Sequence, residues 1–343
     1  MPITDAIILA GGFGTRLRPL TTRTPKALLP VGGRPFLETL FARLAQAGVK
    51  RAVLSVHHQA GFLGKALPGL RRFSVNVSLR REPRPLGTGG AIRFAWPDPA
   101  KACLVLNGDV LSDFDVRELQ REHRRNKAAA TLWAITVDDT RSFGVLETDR
   151  LGGVTRFVEK PLPGQSASRL INAGLYALEP SVLKLIAAGR PVSVEREVFP
   201  ALLAEGLRVG VCAPAGPVYW NDIGTPEAYL RANLDVVQGR LWRGRGMARR
   251  LWGRPDRRKN LIAASARVAP GAKVTMSVLG PDCRVDEGAR VEGSVLMGAC
   301  RVGAQAGLLG ALLSERVQVG ARCMLKPGTA LGAGSRLAED SRL

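Results

Sequence analysis

The stretch DAIILAGGFGTRLRPLTTRTPKALLPV, residues 5–31, reads as a buried strand running into a glycine-rich turn. DAIILA (5–10) is a short apolar run bounded at once by glycines, the pattern of a strand covered on both faces. The turn carries Gly11, Gly12 and Gly14, where missing side chains let backbone N–H groups approach phosphate oxygens. It is not a P-loop, since GxxxxGK[ST] is absent, and Leu17 stands where a dinucleotide fingerprint has its third glycine. The turn delivers Arg16 and then, ten residues on, Lys26. Two fixed cations beside a phosphate cradle suit a triphosphate whose leaving group is pyrophosphate. A tight turn with two solvated basic residues does not account for Gly11, Gly12, Gly14, Arg16, Pro25 and Lys26 together.

Outward from this stretch, strand-like and helix-like patterns alternate to about residue 238. PFLETLFARLAQAG (35–48) places Phe36, Leu40 and Leu44 on one helical face, with Gly48 as a stop. RAVLSV (51–56) is a strand again, GGAIRFAW (89–96) fits a helix, and ACLVLNGD (102–109) is a buried strand ending in Asp109. Such alternation predicts a Rossmann-like, three-layer α/β domain over residues 1–238 with a mainly parallel sheet. Ligands then gather at the carboxyl ends of the strands.

Residues 239–261 break the pattern. GRLWRGRGMARRLWGRPDRRKN carries nine Arg/Lys and one acidic residue. It reads as a basic linker, with Leu241, Trp242, Leu251 and Trp252 available to pack on a neighbouring domain.

Residues 262–343 hold a repeat. Aliphatic residues recur every six positions in triplets: Ile262, Val268, Val274; Leu279, Val285, Val291; Leu296, Val302, Leu308; Leu313, Val319, Leu325; then Leu331 and Leu337. The step shortens to five between triplets, which gives a rung of 17 residues. A small or apolar residue falls four places after most of these aliphatics, as at Ala272, Cys283 and Cys300. This pattern predicts a parallel β-helix of four to five coils, each buried only by stacking on the next. It resembles the left-handed hexapeptide β-helix. The rung places Arg267, Arg284 and Arg301 in one exposed column, Lys273 and Arg290 in a second, and Cys283 above Cys300 inside. The coil edges leave self-association into a homo-oligomer open.

The whole chain of 343 residues is 45% apolar, enough for a full core. The opening MPITDAIILA has no basic n-region and no cleavage site, so no secretory signal is expected. No apolar run reaches the ~18 residues of a membrane span. The five cysteines form no metal-binding or CxxC spacing and read as reduced thiols of a cytoplasmic protein. The net charge of +21 attracts phosphates, nucleic acid or acidic membrane. A nucleic-acid or membrane role for the basic linker would explain none of the motifs.

At Gly11–Lys26 the chain resembles the sugar-phosphate nucleotidylyltransferase family, the NDP-sugar pyrophosphorylases. With its repeat tail it looks most like the mannose-1-phosphate guanylyltransferase branch. The resemblance covers nearly the whole chain in motif order. It implies that Leu9, Gly11, Gly12, Gly14, Thr15 and Arg16 meet an NTP. Glu82 with Pro85-Leu86-Gly87-Thr88-Gly89-Gly90 matches the base-reading segment, so Glu82, Gly87 and Thr88 join the nucleotide site. A carboxylate only accepts hydrogen bonds, and the guanine edge offers two adjacent donors, so Glu82 favours GTP. A surface glutamate in a loop is the competing reading. The GTGGAI wording is also similar to heptose-1-phosphate guanylyltransferases. Asp109 of LNGD and Asp222 of WNDIGTP match the ligands of one Mg²⁺, which phosphate oxygens would complete. Lys160 of FVEKP would hold the phosphate of a sugar 1-phosphate and Glu159 a sugar hydroxyl. Gly144, Asn172 and Gly174 match sugar-pocket positions.

The implied reaction is attack of the sugar 1-phosphate oxygen on the α-phosphorus of the NTP, with pyrophosphate leaving. That oxygen is already ionised at neutral pH, so Arg16, Lys26 and Lys160 act by charge and position. GDP-mannose is the first expectation, with GDP-heptose or a UDP/dTDP-sugar as alternatives. His57, His58 and His123 all lie outside these motifs, and no histidine follows them to serve an acyltransferase site in the tail. A non-catalytic sugar-nucleotide-binding relative would have lost Arg16, Lys26 or an Asp ligand, and all are present.

Overall fold

The computed structural model describes residues 2–57, 59–241 and 252–343. The chain folds into two compact units that do not follow chain order. The first is built from Met1–Gly12, Leu40–Val110 and Phe114–Trp220, and the second from Phe13–Thr39, Leu111–Asp113 and Asn221–Leu343.

The first unit is organised by a nine-stranded sheet. Its strands are β1 (Asp5–Leu9), β2 (Arg51–Val56), β3 (Asn76–Arg81), β4 (Cys103–Asn107), β5 (Ala130–Thr136), β6 (Gly144–Thr148), β7 (Val154–Glu159), β8 (Leu170–Leu178) and β9 (Val209–Cys212). Strands β4, β1, β2 and β3 are parallel neighbours. All four of Asp5, Ala6, Ile7 and Ile8 are buried, as a parallel strand covered on both faces requires. Beyond β4 the sheet is mixed. The short β6–β7 connection allows only an antiparallel pair, and β8 runs antiparallel to β4, β5 and β6.

Helices follow the apolar spacing in the sequence. On α1 (Phe36–Gln46), Phe36, Leu40 and Leu44 are all buried, and Gly48 stops the run at φ +80. The helix α2 (Ala60–Leu70) precedes the edge strand β3. Next, α3 (Gly87–Ala95) begins two residues before the expected start. Then α4 (Val116–Asn126) is capped by Asp115, whose carboxylate accepts from the Arg117 N–H. Around these, Trp133, Tyr176 and Phe199 fill the core, with Tyr176 edge-on to Phe199 at 5.3 Å.

The second unit contains the parallel β-helix predicted from the repeat. Leu261, Val278, Val295 and Leu312 pair in one sheet, and Lys273, Arg290, Gly307 and Met324 in another. Both series confirm the 17-residue rung, and a final step to Ala330 inserts one residue. Leu279, Val285, Val291, Leu296, Val302, Leu308, Leu313, Val319 and Leu325 are all buried. Ile262 and Val268, expected inside, are instead 41% and 38% exposed. They belong to the first coil, which has no preceding coil to cover it. A polar ladder, not foreseen from the sequence, runs up one corner. Ser277 N donates to Asn260 Oδ1, Ser294 N to Ser277 Oγ, and Ala311 N to Ser294 Oγ.

Arg267, Arg284 and Arg301 are in register and exposed, as are Lys273 and Arg290. None of the five makes an ion pair among the described residues; solvent and salt screen them. Cys283, Cys300 and Cys323 are buried free thiols of the interior. Trp252 is buried and donates from Nε1 to the Val31 carbonyl at 2.8 Å. Its ring lies 2.8 Å from where a Cβ on Gly32 would stand, so the linker's second tryptophan packs inside this unit. Leu241 is buried, whereas Trp242 and Leu251 lie outside the described residues. Among the described residues no helix is long and apolar enough to cross a membrane.

The stacked coils make a graded prediction. Leu296→Ala in a middle coil should cost about 2–5 kcal/mol of unfolding free energy, whereas Ile262→Ala in the open first coil should cost under about 1 kcal/mol. Denaturant titration of the two variants checks the contrast, and equal losses would contradict it.

Candidate active site

In the second unit, the turn after β1 is held by its small and apolar residues. Gly14 takes φ +61, and Thr21 Oγ1 donates to its carbonyl at 2.7 Å. A 3-10 turn over Thr15–Leu17 follows, anchored by the fully buried Leu17, and Arg16 beside it is exposed. Pro25 starts a second 3-10 turn, Lys26–Leu28, whose buried Ala27 fixes the base of Lys26. Asp222 ends a short strand, Trp220–Asp222, just before the helix Pro226–Val237. Thr225 caps that helix by accepting from the Ala228 N–H, and Pro226 occupies its first turn.

These segments converge. Lys26 Nζ lies 3.8 Å from Asp222 Oδ1. A Cβ built on Gly224 would stand 2.8 Å from Arg16 Nη2 and 3.0 Å from Asp222 Oδ1. Arg16 and Asp222 therefore close on Gly224, and Lys26 stands beside the same carboxylate. The motifs alone do not single out Gly224, although its place two residues after Asp222 in WNDIGTP is the available signal.

In the first unit, Gly11 lies against Glu82, for a Cβ there would stand 3.0 Å from Glu82 Oε1. Gly12 is exposed, with nothing within 4 Å of a Cβ and no left-handed φ. The protein sets no demand for glycine at Gly12; close approach by a ligand would. Leu9 pairs with Asn107, and its carbonyl accepts from the Gly108 N–H at 2.9 Å. A Cβ on Gly108 would stand 2.5 Å from that carbonyl, so this glycine seats Asp109 at the carboxyl end of β4.

Glu82 has structural work that the sequence did not disclose. Only 5% exposed, it accepts from Ser55 Oγ at 2.9 Å and from Leu86 N at 3.1 Å. Its carboxylate thus fixes the turn leading to Gly87. Gly87 sits at φ +68 with Val192 O 2.5 Å from a would-be Cβ, so packing alone demands glycine there. Thr88 Oγ1 accepts from Val194 N and donates to Glu195 at 2.7 Å.

The residues expected on the sugar side lie on β6, β7 and a bulge in β8. Gly144 pairs with Glu159, and a Cβ on Gly144 would meet Phe157 at 2.5 Å and Glu159 Oε2 at 2.8 Å. Lys160 follows at φ +51, exposed, with its N–H on the Phe143 carbonyl. The register of β8 against β5 shifts between Asn172 and Tyr176, the kind of bulge that re-aims side chains beside active sites. Gly174 takes φ +79 there and donates to Asn172 Oδ1, while Asn172 Nδ2 donates to the Tyr176 hydroxyl. Trp220 Nε1 donates to the Ala173 carbonyl.

Burial, then the neighbouring Glu195, raises the Glu159 carboxyl above the usual carboxylate range; Lys160 and Arg196 oppose this. Burial likewise pushes the Tyr176 phenol well up, with Glu195, Glu159 and Asp109 adding to it. Asp109 therefore shares one electrostatic neighbourhood with the sugar-side carboxylates. His123 stands in the last turn of α4. It is 3% exposed between Thr131 and Glu179, and burial lowers its pKa. His58 lies outside the described residues.

This architecture, a parallel half-sheet feeding a glycine turn with two placed cations, defines a nucleotidyltransferase. Residues 5–239 match the nucleotidyl transferase family model, and the chain belongs to that family. Residues 257–342 match the GMPPB C-terminal domain. A mannose-1-phosphate guanylyltransferase of Mycobacterium tuberculosis is 40% identical over 78% of this chain and 72% of its own length. A mannose-1-phosphate guanyltransferase of Yarrowia lipolytica is 38% identical over 65% of this chain, but the match spans only 61% of that protein. The crystal structure of HddC from Yersinia pseudotuberculosis, 30% identical, superposes with a TM-score of 0.58 over 67% of this chain and 98% of HddC. The same protein complexed with GMP-PN gives 0.57.

The two glycines should respond differently. Gly12→Ala should leave the melting temperature unchanged and raise the KM for NTP, because only a ligand meets that Cβ. Gly224→Ala should lower kcat, but by less than Lys26→Ala does, since its Cβ displaces only the ends of the Arg16 and Asp222 side chains by a few tenths of an ångström. Steady-state pyrophosphate release checks both.

Proposed function

We propose that the enzyme joins GTP and mannose 1-phosphate to give GDP-mannose and pyrophosphate. The observation that carries this reading is that Arg16 and Asp222 meet at Gly224, with Lys26 3.8 Å from that carboxylate. Similarity to two mannose-1-phosphate guanylyltransferases supports the substrates. The GMP-PN complex of HddC supports a guanine nucleotide in a fold of this kind. In chain order, residues 1–238 are proposed as the transferase domain, 239–261 as a basic linker and 262–343 as the β-helix.

Leu9, Gly11, Gly12, Gly14 and Thr15 would cradle the triphosphate, and Arg16 and Lys26 would carry its leaving pyrophosphate. Glu82, Gly87 and Thr88 would shape the base pocket. Each Glu82 oxygen keeps a lone pair beyond its Ser55 or Leu86 contact, which leaves acceptors for the guanine N1–H and amine. Gly144, Glu159, Asn172 and Gly174 would order the sugar and Lys160 its phosphate. The phosphate oxygen arrives ionised and attacks the α-phosphorus in line, so no general base is assigned. Placed charge then lowers the barrier without reorganisation.

The cation proposed is Mg²⁺, with Asp109 and Asp222 as its carboxylates. Among the described residues no group of three or more His, Cys, Asp or Glu side chains is placed to hold a metal ion. That scarcity fits Mg²⁺, which keeps waters and takes phosphate oxygens beside one or two carboxylates. When bound it would neutralise charge on the phosphates. Five buried, free cysteines support a reducing, cytoplasmic setting. The open first coil supports self-association.

Pyrophosphate release with GTP and mannose 1-phosphate is the expected result, and Lys26→Ala or Lys160→Ala should each lower kcat by roughly 10²–10³. Release only with UTP or dTTP would overturn the base assignment. No release with any common NTP and sugar 1-phosphate would overturn the transfer.

A further inference from the structure

Glu195 belongs to none of the motifs that led to the site, yet it stands between its nucleoside and sugar sides. It lies on a single π-turn, Val194–Val198, a rare backbone form found often at functional sites. That turn packs against α3 on one side and β7 on the other. Glu195 Oε2 accepts from Thr88 Oγ1 at 2.7 Å and from Ser193 Oγ at 2.9 Å. The Thr88 hydroxyl in turn accepts from the Val194 N–H at 2.9 Å. Helix α3 begins at Gly87, so the carboxylate holds its first turn through a charge-assisted hydrogen bond.

Resting on the transfer reading above, we infer that Glu195 is a positioning residue: its carboxylate ties the nucleoside-side turn of α3 to the π-turn that packs on the strand carrying Glu159. Two carboxylates that face one another repel, and that arrangement persists where hydrogen-bond donors stand between or beside them. A sugar supplies such donors on the Glu159 side; the Thr88 and Ser193 hydroxyls supply them on the Glu195 side. The charges that act on Glu159 are those of Glu195 and Arg196 from the π-turn packed on β7, and of Lys160 from its own strand end. Glu195 is the one anion among them, and it works against ionisation of Glu159. Removing its charge must therefore let Glu159 ionise at lower pH.

The test compares Glu195→Gln with Ser193→Ala. Both variants loosen the same turn, but only the first removes the charge. For Glu195→Gln, the acid limb of kcat/KM for mannose 1-phosphate should move to lower pH. The KM for GTP should rise roughly tenfold, the loss expected for one charge-assisted hydrogen bond. For Ser193→Ala the acid limb should stay in place. A carboxyl ¹³C titration of Glu159 in the ligand-free protein, assigned with Glu159→Gln, should show the same downward move in Glu195→Gln. An unmoved titration, or an equal move in both variants, overturns the inference. A moved titration in a protein that turns over no substrate leaves the coupling standing and overturns the transfer reading instead.

Discussion

The lack of a side chain at Gly224 lets the Arg16 guanidinium and the Asp222 carboxylate occupy one small volume, with Lys26 at 3.8 Å from that carboxylate. Two cations this close repel one another unless an anion stands among them. Asp222 supplies part of that balance, and a triphosphate would supply the rest. The rest of the second unit fixes those groups. Leu17 and Ala27 anchor the turns that carry Arg16 and Lys26, and Thr225 and Pro226 set the helix that follows Asp222. Placed charge of this kind is what phosphoryl transfer needs, since the nucleophile brings its own negative charge.

The first unit works by a different constraint, the close approach of backbones. Gly108 under the Leu9 carbonyl and Gly87 against the Val192 carbonyl each leave too little room for a Cβ, and the Phe157 and Glu159 side chains fill the space that Gly144 leaves. A parallel half-sheet puts Leu9 and Asn107 side by side at its carboxyl end, so the phosphate turn and Asp109 emerge from adjacent strands. The mixed half adds the bulge that turns Asn172 and Gly174. The β-helix contributes a self-stacking column of aliphatic residues, sealed at one corner by the Asn260–Ser277–Ser294 ladder.

What was legible in the sequence was periodic or punctuated. The 17-residue rung, the α1 face and the strand before Gly11 survive intact, because period and glycine placement report directly on backbone geometry. Arg16, Lys26 and Asp222 were found from motif order, and the structure brings them together. The open first coil was not legible, since Ile262 and Val268 share the pattern of the coils that cover one another. Nor were the jobs of Glu82 and Thr88. Their partners Ser55, Leu86, Val194 and Glu195 are set by folding, and short polar residues in loops carry no period. Glu195 stayed hidden for the same reason, being one of two glutamates in SVEREV.

The transfer proposed is a direct in-line displacement at the α-phosphorus, driven by placed charge and without a covalent enzyme intermediate. The most direct measurement is the stereochemical course with a chiral GTP α-phosphorothioate, read by ³¹P NMR of the sugar-nucleotide product. One in-line step inverts configuration at phosphorus, and inversion is the predicted result. Retention would require two displacements through a nucleophile on the protein, and would contradict the account.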